Sequence, residues 1–149
     1  VGCGTGRLLS RAAERWPQAS FIGVDAASAM VAEARHAREG DGRFRFEVGD
    51  AAALPLDDGS VDLACTTVSF HHWADQRGGV REAARVLRAG GLFILADFRP
   101  PLMLQPVMRA FHGSRSRRRI LRDAGLNVVA EHRPLRLGRT VLVTVARKS

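Results

Sequence analysis

The chain has 149 residues, 46% of them hydrophobic, enough for a core of its own and a fit to one domain. No apolar run approaches the length of about eighteen residues that a membrane span needs, and no charged leader precedes an apolar stretch, so a cytoplasmic protein is expected. The net charge of +8 comes almost wholly from arginine, Lys148 being the single lysine, and a GC-rich coding sequence gives that bias without any anionic partner.

From Thr5 to Trp16 the apolar residues Leu8, Leu9, Ala12, Ala13 and Trp16 recur at helical spacing, and Pro17 stops the run. Phe21-Ile22-Gly23-Val24 is a short strand ending at Asp25. Ser28 is placed to cap a second helix through Met30, Val31, Ala34 and Ala37. Phe44, Phe46 and Val48 alternate with charged residues, as an edge strand with one wet face would, and Asp50 follows them. Residues 61–68 form an apolar, β-branched run that reads as a central strand. Val80, Ala83, Ala84 and Leu87 make a helical stripe ended by Gly90-Gly91, and residues 92–96 form a buried strand ending at Asp97. Helices are expected at 102–112 and 115–124, and residues 127–133 and 140–147 read as a closing strand pair. Strands alternating with helices imply parallel strands joined by right-handed crossovers.

The chemistry concentrates at the start of the chain. Val1-Gly2-Cys3-Gly4-Thr5-Gly6 runs straight into the first helix, where bare main chain and a positive helix end can approach a ligand closely. A dinucleotide fingerprint would want glycine at position 7, which is Arg7, so the loop is GxGxG and a nicotinamide cofactor is disfavoured. Asp25 ends the next strand and Asp50 the one after. Either alone would pass for a turn or capping carboxylate. Together with the glycine loop they place three ligand-facing features on the carboxyl edge of one parallel sheet, where such folds open their crevice. Cys3 and Cys65 show no CxxC spacing and no histidine partners, so reduced thiols and no metal site are expected.

With these features in order, the sequence resembles the class I, Rossmann-like methyltransferases that use S-adenosylmethionine (SAM), in particular the small-molecule Methyltransf_11-like group. The motifs that carry the resemblance are VGCGTG, GVDAASAM, GDAAALPL, VDLACTTVSFHHW and REAARVLRAGGLFILAD, and the last stretch, LRDAGLNVVAEHRPLRLGRTVLVTVARK, is similar to that group's final helix and strand pair. The fold implied is a doubly wound, mostly parallel α/β sheet with an antiparallel last strand. The resemblance implies that Gly2, Cys3, Gly4 and Gly6 hold the methionine end of SAM, with Asp25 on the ribose hydroxyls and Ala26 and Met30 beside the adenine. It places Asp50 on the adenine amino group with Ala51 adjacent, and Thr67 near the sulfonium. Met30 reads equally well as a core residue of the second helix.

The expected reaction is methyl transfer to a small-molecule acceptor, with S-adenosylhomocysteine (SAH) as coproduct. A base is optional; His71 and His72 follow the strand that carries Thr67, and because adjacent side chains tend to point apart, at most one faces the acceptor, with His72 favoured over His71 and a structural histidine fixing the strand-end loop as the alternative. The stripe Met103, Leu104, Val107, Met108 and Phe111 reads as helix packing, and Arg115, Arg117, Arg118, Arg119 and Arg122 as a solvated face. Residues 1–75 hold 7 basic and 11 acidic side chains and residues 76–149 hold 16 and 4, so an RNA or other nucleic-acid methyltransferase is the nearest rival, though the chain has Ser69-Phe70-His71-His72 where adenine-amino enzymes carry an Asn/Asp-Pro-Pro-aromatic motif. A non-catalytic SAM-binding module is the other rival. In the family a full strand precedes the glycine loop and lies mid-sheet. Here that strand is largely missing, so residues 1–149 are expected to form a partial domain with two unpaired strand edges, and the chain alone to bind SAM weakly or not at all.

Overall fold

A computed structural model describes residues 1–99, 117–133, 135–136 and 139–149. The expected helix at 102–112 and Arg115 lie outside these residues. The order is α1 (Arg7–Arg15), β1 (Phe21–Asp25), α2 (Ser28–Ala37), β2 (Phe44–Val48), β3 (Val61–Thr67), a 3-10 turn (Phe70–His72), α3 (Gln76–Val86), β4 (Leu87–Arg99), α4 (Arg117–Asp123), β5 (Leu126–His132), β6 (Leu135–Arg136) and β7 (Arg139–Lys148). No helix among the described residues is long and apolar enough to cross a membrane.

The strands form two sheets. β1 pairs with β2 in parallel, and a second sheet runs β3-β4-β7-β5 with β6 attached to β7. β3 and β4 are parallel, while β7 is antiparallel to both β4 and β5, as the closing pair in the sequence requires. Among the described residues, the first three hydrogen-bond to both sheets. The Val1 amino group donates to the Cys65 carbonyl of β3 at 2.7 Å, and Gly2 N and Cys3 N donate to the Val24 carbonyl of β1 at 2.8 and 3.1 Å. β3 is therefore an edge strand rather than the central strand its apolar run suggests, and Leu63 is 51% exposed.

Helices cover both faces of β1. Successive strand residues point to opposite faces. Gly23 backs onto Phe46 and Cys3, in the cluster with Val31 and Ala34 of α2, whereas Val24 packs with Leu54 and with Val86 of α3. The larger core lies between the second sheet and α3 and α4, with Val80, Leu87, Phe93, Leu95, Leu121 and Leu126 all at 0–1% exposure. Each such side chain contributes about 2 kcal/mol by transfer from water.

Three element ends differ from the sequence reading. α3 stops at Val86, because Leu87 is already extended and pairs with Val61, so Gly90 and Gly91 fall inside β4. α2 begins at Ser28 without a side-chain cap; Asp25 Oδ1 instead accepts from Ala27 N at 3.0 Å. α1 buries only Ala13, and Leu8 and Trp16 stay exposed.

The loop after β2 is stapled to α3. Arg85 donates to the carbonyls of Leu54 and Leu56 at 3.1 and 2.8 Å, to Asp58 at 2.6 Å and to Glu82 at 2.7 and 2.8 Å, and Glu82 accepts from Leu54 N at 2.8 Å. The Arg85 guanidinium holds the Glu82 carboxyl below its ordinary value of 4.5. A lowered folded value means stability that is present above the unfolded value and lost as pH falls through the folded one. Glu82→Gln should therefore cost about 2 kcal/mol at neutral pH, the scale of hydrogen bonds to a charged group. In urea unfolding the gap between the two proteins should close below about pH 4; a gap independent of pH would refute the ionic origin.

Candidate cofactor and active site

The carboxyl ends of β1, β2 and β3 are gathered around the glycine loop. Gly2, Gly4 and Gly6 have φ of 67°, 52° and 76°, in the left-handed region that glycine enters without steric cost. Their surroundings differ. A Cβ at Gly2 would overlap the Ser69 side chain, and one at Gly6 would press on the Phe46 ring at 3.0 Å, but one at Gly4 would meet nothing within 4 Å. Gly2 and Gly6 thus serve packing, and Gly4 presents bare main chain to open space. No side chain caps α1, whose first amides are left for a ligand.

Asp25 closes the loop onto β1. Its Oδ2 accepts from Gly4 N at 2.7 Å while Oδ1 takes Ala27 N. Each carboxylate oxygen can accept more than one hydrogen bond, so capacity for two ribose hydroxyls remains. The Asp25 carbonyl accepts from Gly49 N at 3.0 Å, which ties the end of β1 to the residue before Asp50. Asp50 is exposed and caps its own turn, with Oδ1 accepting from Ala52 N at 2.7 Å; Ala51 is half-buried beside it. Ala26 and Met30 are exposed on the same edge, and at 38% exposure Met30 is no core residue of α2. The residues present fit a SAM nucleoside: bare main chain at Gly4, where a Cβ would meet no protein atom, stands beside a carboxylate able to accept from hydroxyl donors. Cys3 sits within the loop, and burial, then the Asp25 charge, push its thiol up, which makes it a poor nucleophile.

The end of β3 is bent back over the loop. Thr67 is half-buried, and Val68 follows with φ of 53°, rare for a β-branched residue and costing about 1–3 kcal/mol. The buried Thr66 hydroxyl and that of Ser69 lie 2.8 Å apart, Ser69 Oγ donates to the Val1 carbonyl at 3.4 Å, and Trp73 Nε1 donates to Ser69 Oγ at 3.3 Å. The turn carrying both histidines is in this way fastened to the start of the glycine loop.

The two histidines do not diverge as an extended backbone would make them. They lie in a 3-10 turn with ring centroids 3.9 Å apart. His72 is exposed. His71 Nδ1 lies 2.8 Å from Asp97 Oδ1, and the His71 backbone N donates to Oδ2 at 3.0 Å. Asp97 is wholly buried, and Arg117 of α4 places Nη2 4.0 Å from Oδ2. The sequence reading marked Asp97 only as a strand end; its pairing with His71 needs the parallel register of Thr67 with Ala96. Of the arginine cluster, Arg118 and Arg119 are exposed but paired to Glu131 and Asp123.

Residues 1–95 match the Methyltransf_11 methyltransferase domain. Demethylmenaquinone methyltransferase of Thermus thermophilus is 39% identical over 102 residues, 68% of this chain and 46% of that protein. A chain of the complex between the Haloferax volcanii Trm112 methyltransferase activator and a putative methyltransferase superposes with a TM-score of 0.83 at 26% identity, covering 98% of this chain and 79% of that one. Geranyl diphosphate C-methyltransferase from Streptomyces coelicolor, solved with SAH, shares the fold at a TM-score of 0.80 and 18% identity, over 99% of this chain and 70% of that one. The chain spans between 28% and 46% of the length of the first curated relatives it matches. The chain belongs to the Methyltransf_11 methyltransferase domain family.

Proposed function

We propose that residues 1–149 act within a single methyltransferase domain that moves the methyl group of SAM to a small-molecule acceptor. The observation that carries this reading is the 2.7 Å hydrogen bond from Gly4 N to Asp25, beside a Gly4 face that no side chain fills. When bound, SAM supplies an already activated methyl, so the chain's own work is to bind, orient and exclude water. In this reading Gly2, Cys3, Gly4 and Gly6 enclose the methionine end, and Asp25 receives the ribose hydroxyls. Asp50 and Ala51 face the adenine from β2, Ala26 and Met30 from α2, and Thr67 lies nearest the sulfonium. His72 is exposed on the same turn as His71, with the two ring centroids 3.9 Å apart. The free thiols Cys3 and Cys65 accord with a cytoplasmic location.

The test is a titration of the isotope-labelled chain with SAH, followed by transfer of a tritiated methyl from SAM to phenols, carboxylic acids, amines and reduced quinones. Amide shifts confined to residues 2–6, 25–30 and 49–51, with label moving to one acceptor class, are the expected result. Shifts elsewhere, or displacement of SAH by NAD, would overturn the reading. Salt-sensitive transfer to RNA alone would replace the acceptor.

A further inference from the structure

The strand-end turn contains more machinery than cofactor binding needs. Asp97 is fully buried, yet its carboxylate accepts from the backbone N of His71, from the ring Nδ1 of His71 and from Phe98 N at 2.7 Å. One buried carboxylate thereby fixes both the path of the turn and the orientation of the imidazole. An ionised carboxylate can only accept, so in this pairing Nδ1 is the donor and the free nitrogen of the imidazole is Nε2. The side chain is 39% exposed, so that nitrogen is reachable. The strained Val68 and the bonds from Ser69 hold the same turn against the first residues of the glycine loop. A structural clamp alone would need the backbone bond to Asp97, but not a histidine ring.

We propose that His71 is the base that takes the acceptor's proton during methyl transfer and that Asp97 is the residue that positions it; the proposal rests on the methyltransferase reading above. The acceptor's X–H bond breaks and its proton passes to Nε2. The electron pair left on X forms the bond to the methyl carbon, and the methyl–sulfur bond breaks with its pair staying on sulfur. The products are the methylated acceptor, the thioether and an imidazolium that returns its proton to water. Acceptors are therefore groups with a proton to lose, such as phenols, enols or protonated amines, rather than isolated alkenes. Among the described residues, the groups at the imidazole are Asp97 from β4, Arg117 from α4, which approaches that same carboxylate, and the neighbouring ring of His72.

Two variants separate a base from a clamp. Asparagine at position 71 can still donate to Asp97 from its side-chain amide and its backbone N, but carries no base, whereas Asp97→Asn disturbs the orientation itself. ¹⁵N-histidine spectra of the whole chain, which need no acceptor, should show His71 protonated at Nδ1 and perturbed by SAH, with the tautomer lost in Asp97→Asn. Transfer to 1,4-dihydroxynaphthalene should rise with pH along one limb in the unaltered chain. His71→Asn should lose that limb and at least about 100-fold in rate while SAH affinity and Tm hold. A His71 protonated at Nε2, or a His71→Asn variant at full rate, would overturn the proposal. A chain whose residues 2–6 do not respond to SAH would instead overturn the methyltransferase reading, and the tautomer would still report on the His71–Asp97 pair.

Discussion

Asp25→Ala is expected to weaken SAH binding by at least about 100-fold relative to the unaltered chain, the equivalent of two lost hydrogen bonds to a charged group. The carboxylate has two tasks at one point. It holds the loop by accepting from Gly4 N, and it faces the place where ribose hydroxyls would donate. Asparagine would not substitute, since its amide nitrogen must face the N–H of either Gly4 or Ala27, donor against donor. The same change should cost only about 1–2 kcal/mol of stability, because the carboxylate is only partly buried and water can replace it on the Gly4 and Ala27 amides. A chemical-shift titration reads weak binding directly, and Asp41→Asn, whose carboxylate meets Arg43 and the Arg43 amide far along the chain, is the control that should leave it unchanged. Binding within threefold of the unaltered chain would remove Asp25 from the site.

The features legible in the sequence were those that one strand and its following loop determine by themselves. A glycine loop, a carboxylate at the end of β1 and another after β2 follow from local apolar runs and their stops, and the parallel order of the strands then places them on one edge. The antiparallel close, β5 against β7, was equally visible because each strand carries its own alternation. What escaped is what depends on register between strands. His71 and Asp97 are 26 residues apart and meet only because Thr67 stands opposite Ala96. The helical stripe of α3 ran on to Leu87 in the sequence because a buried strand residue and a buried helix residue look alike when only one turn separates them; the pairing of Leu87 with Val61 decides it. Leu63 likewise reads as core, and is half exposed because β3 pairs with β4 alone at the end of its sheet.

The glycines of the loop offer the sharpest division between packing and ligand contact, since three residues of one type, all with positive φ, have different neighbours. Gly2→Ala forces a Cβ into Ser69, whose hydroxyl is already engaged with Thr66, Val1 and Trp73 and cannot swing away without releasing the turn. The left-handed backbone adds its own penalty, and together these should cost about 3 kcal/mol of stability. Gly4→Ala pays only the backbone term, about 1 kcal/mol, because its Cβ meets no protein atom. That Cβ would stand where the loop presents bare main chain beside Asp25, so SAH binding should fall at least about 30-fold, about 2 kcal/mol, in a protein that still unfolds cooperatively. Urea unfolding and SAH titration of both variants test the pair together. If Gly4→Ala bound SAH as the unaltered chain does, the open face above Gly4 would belong to solvent, and the cofactor would have to approach Asp25 from the Ala27 side instead.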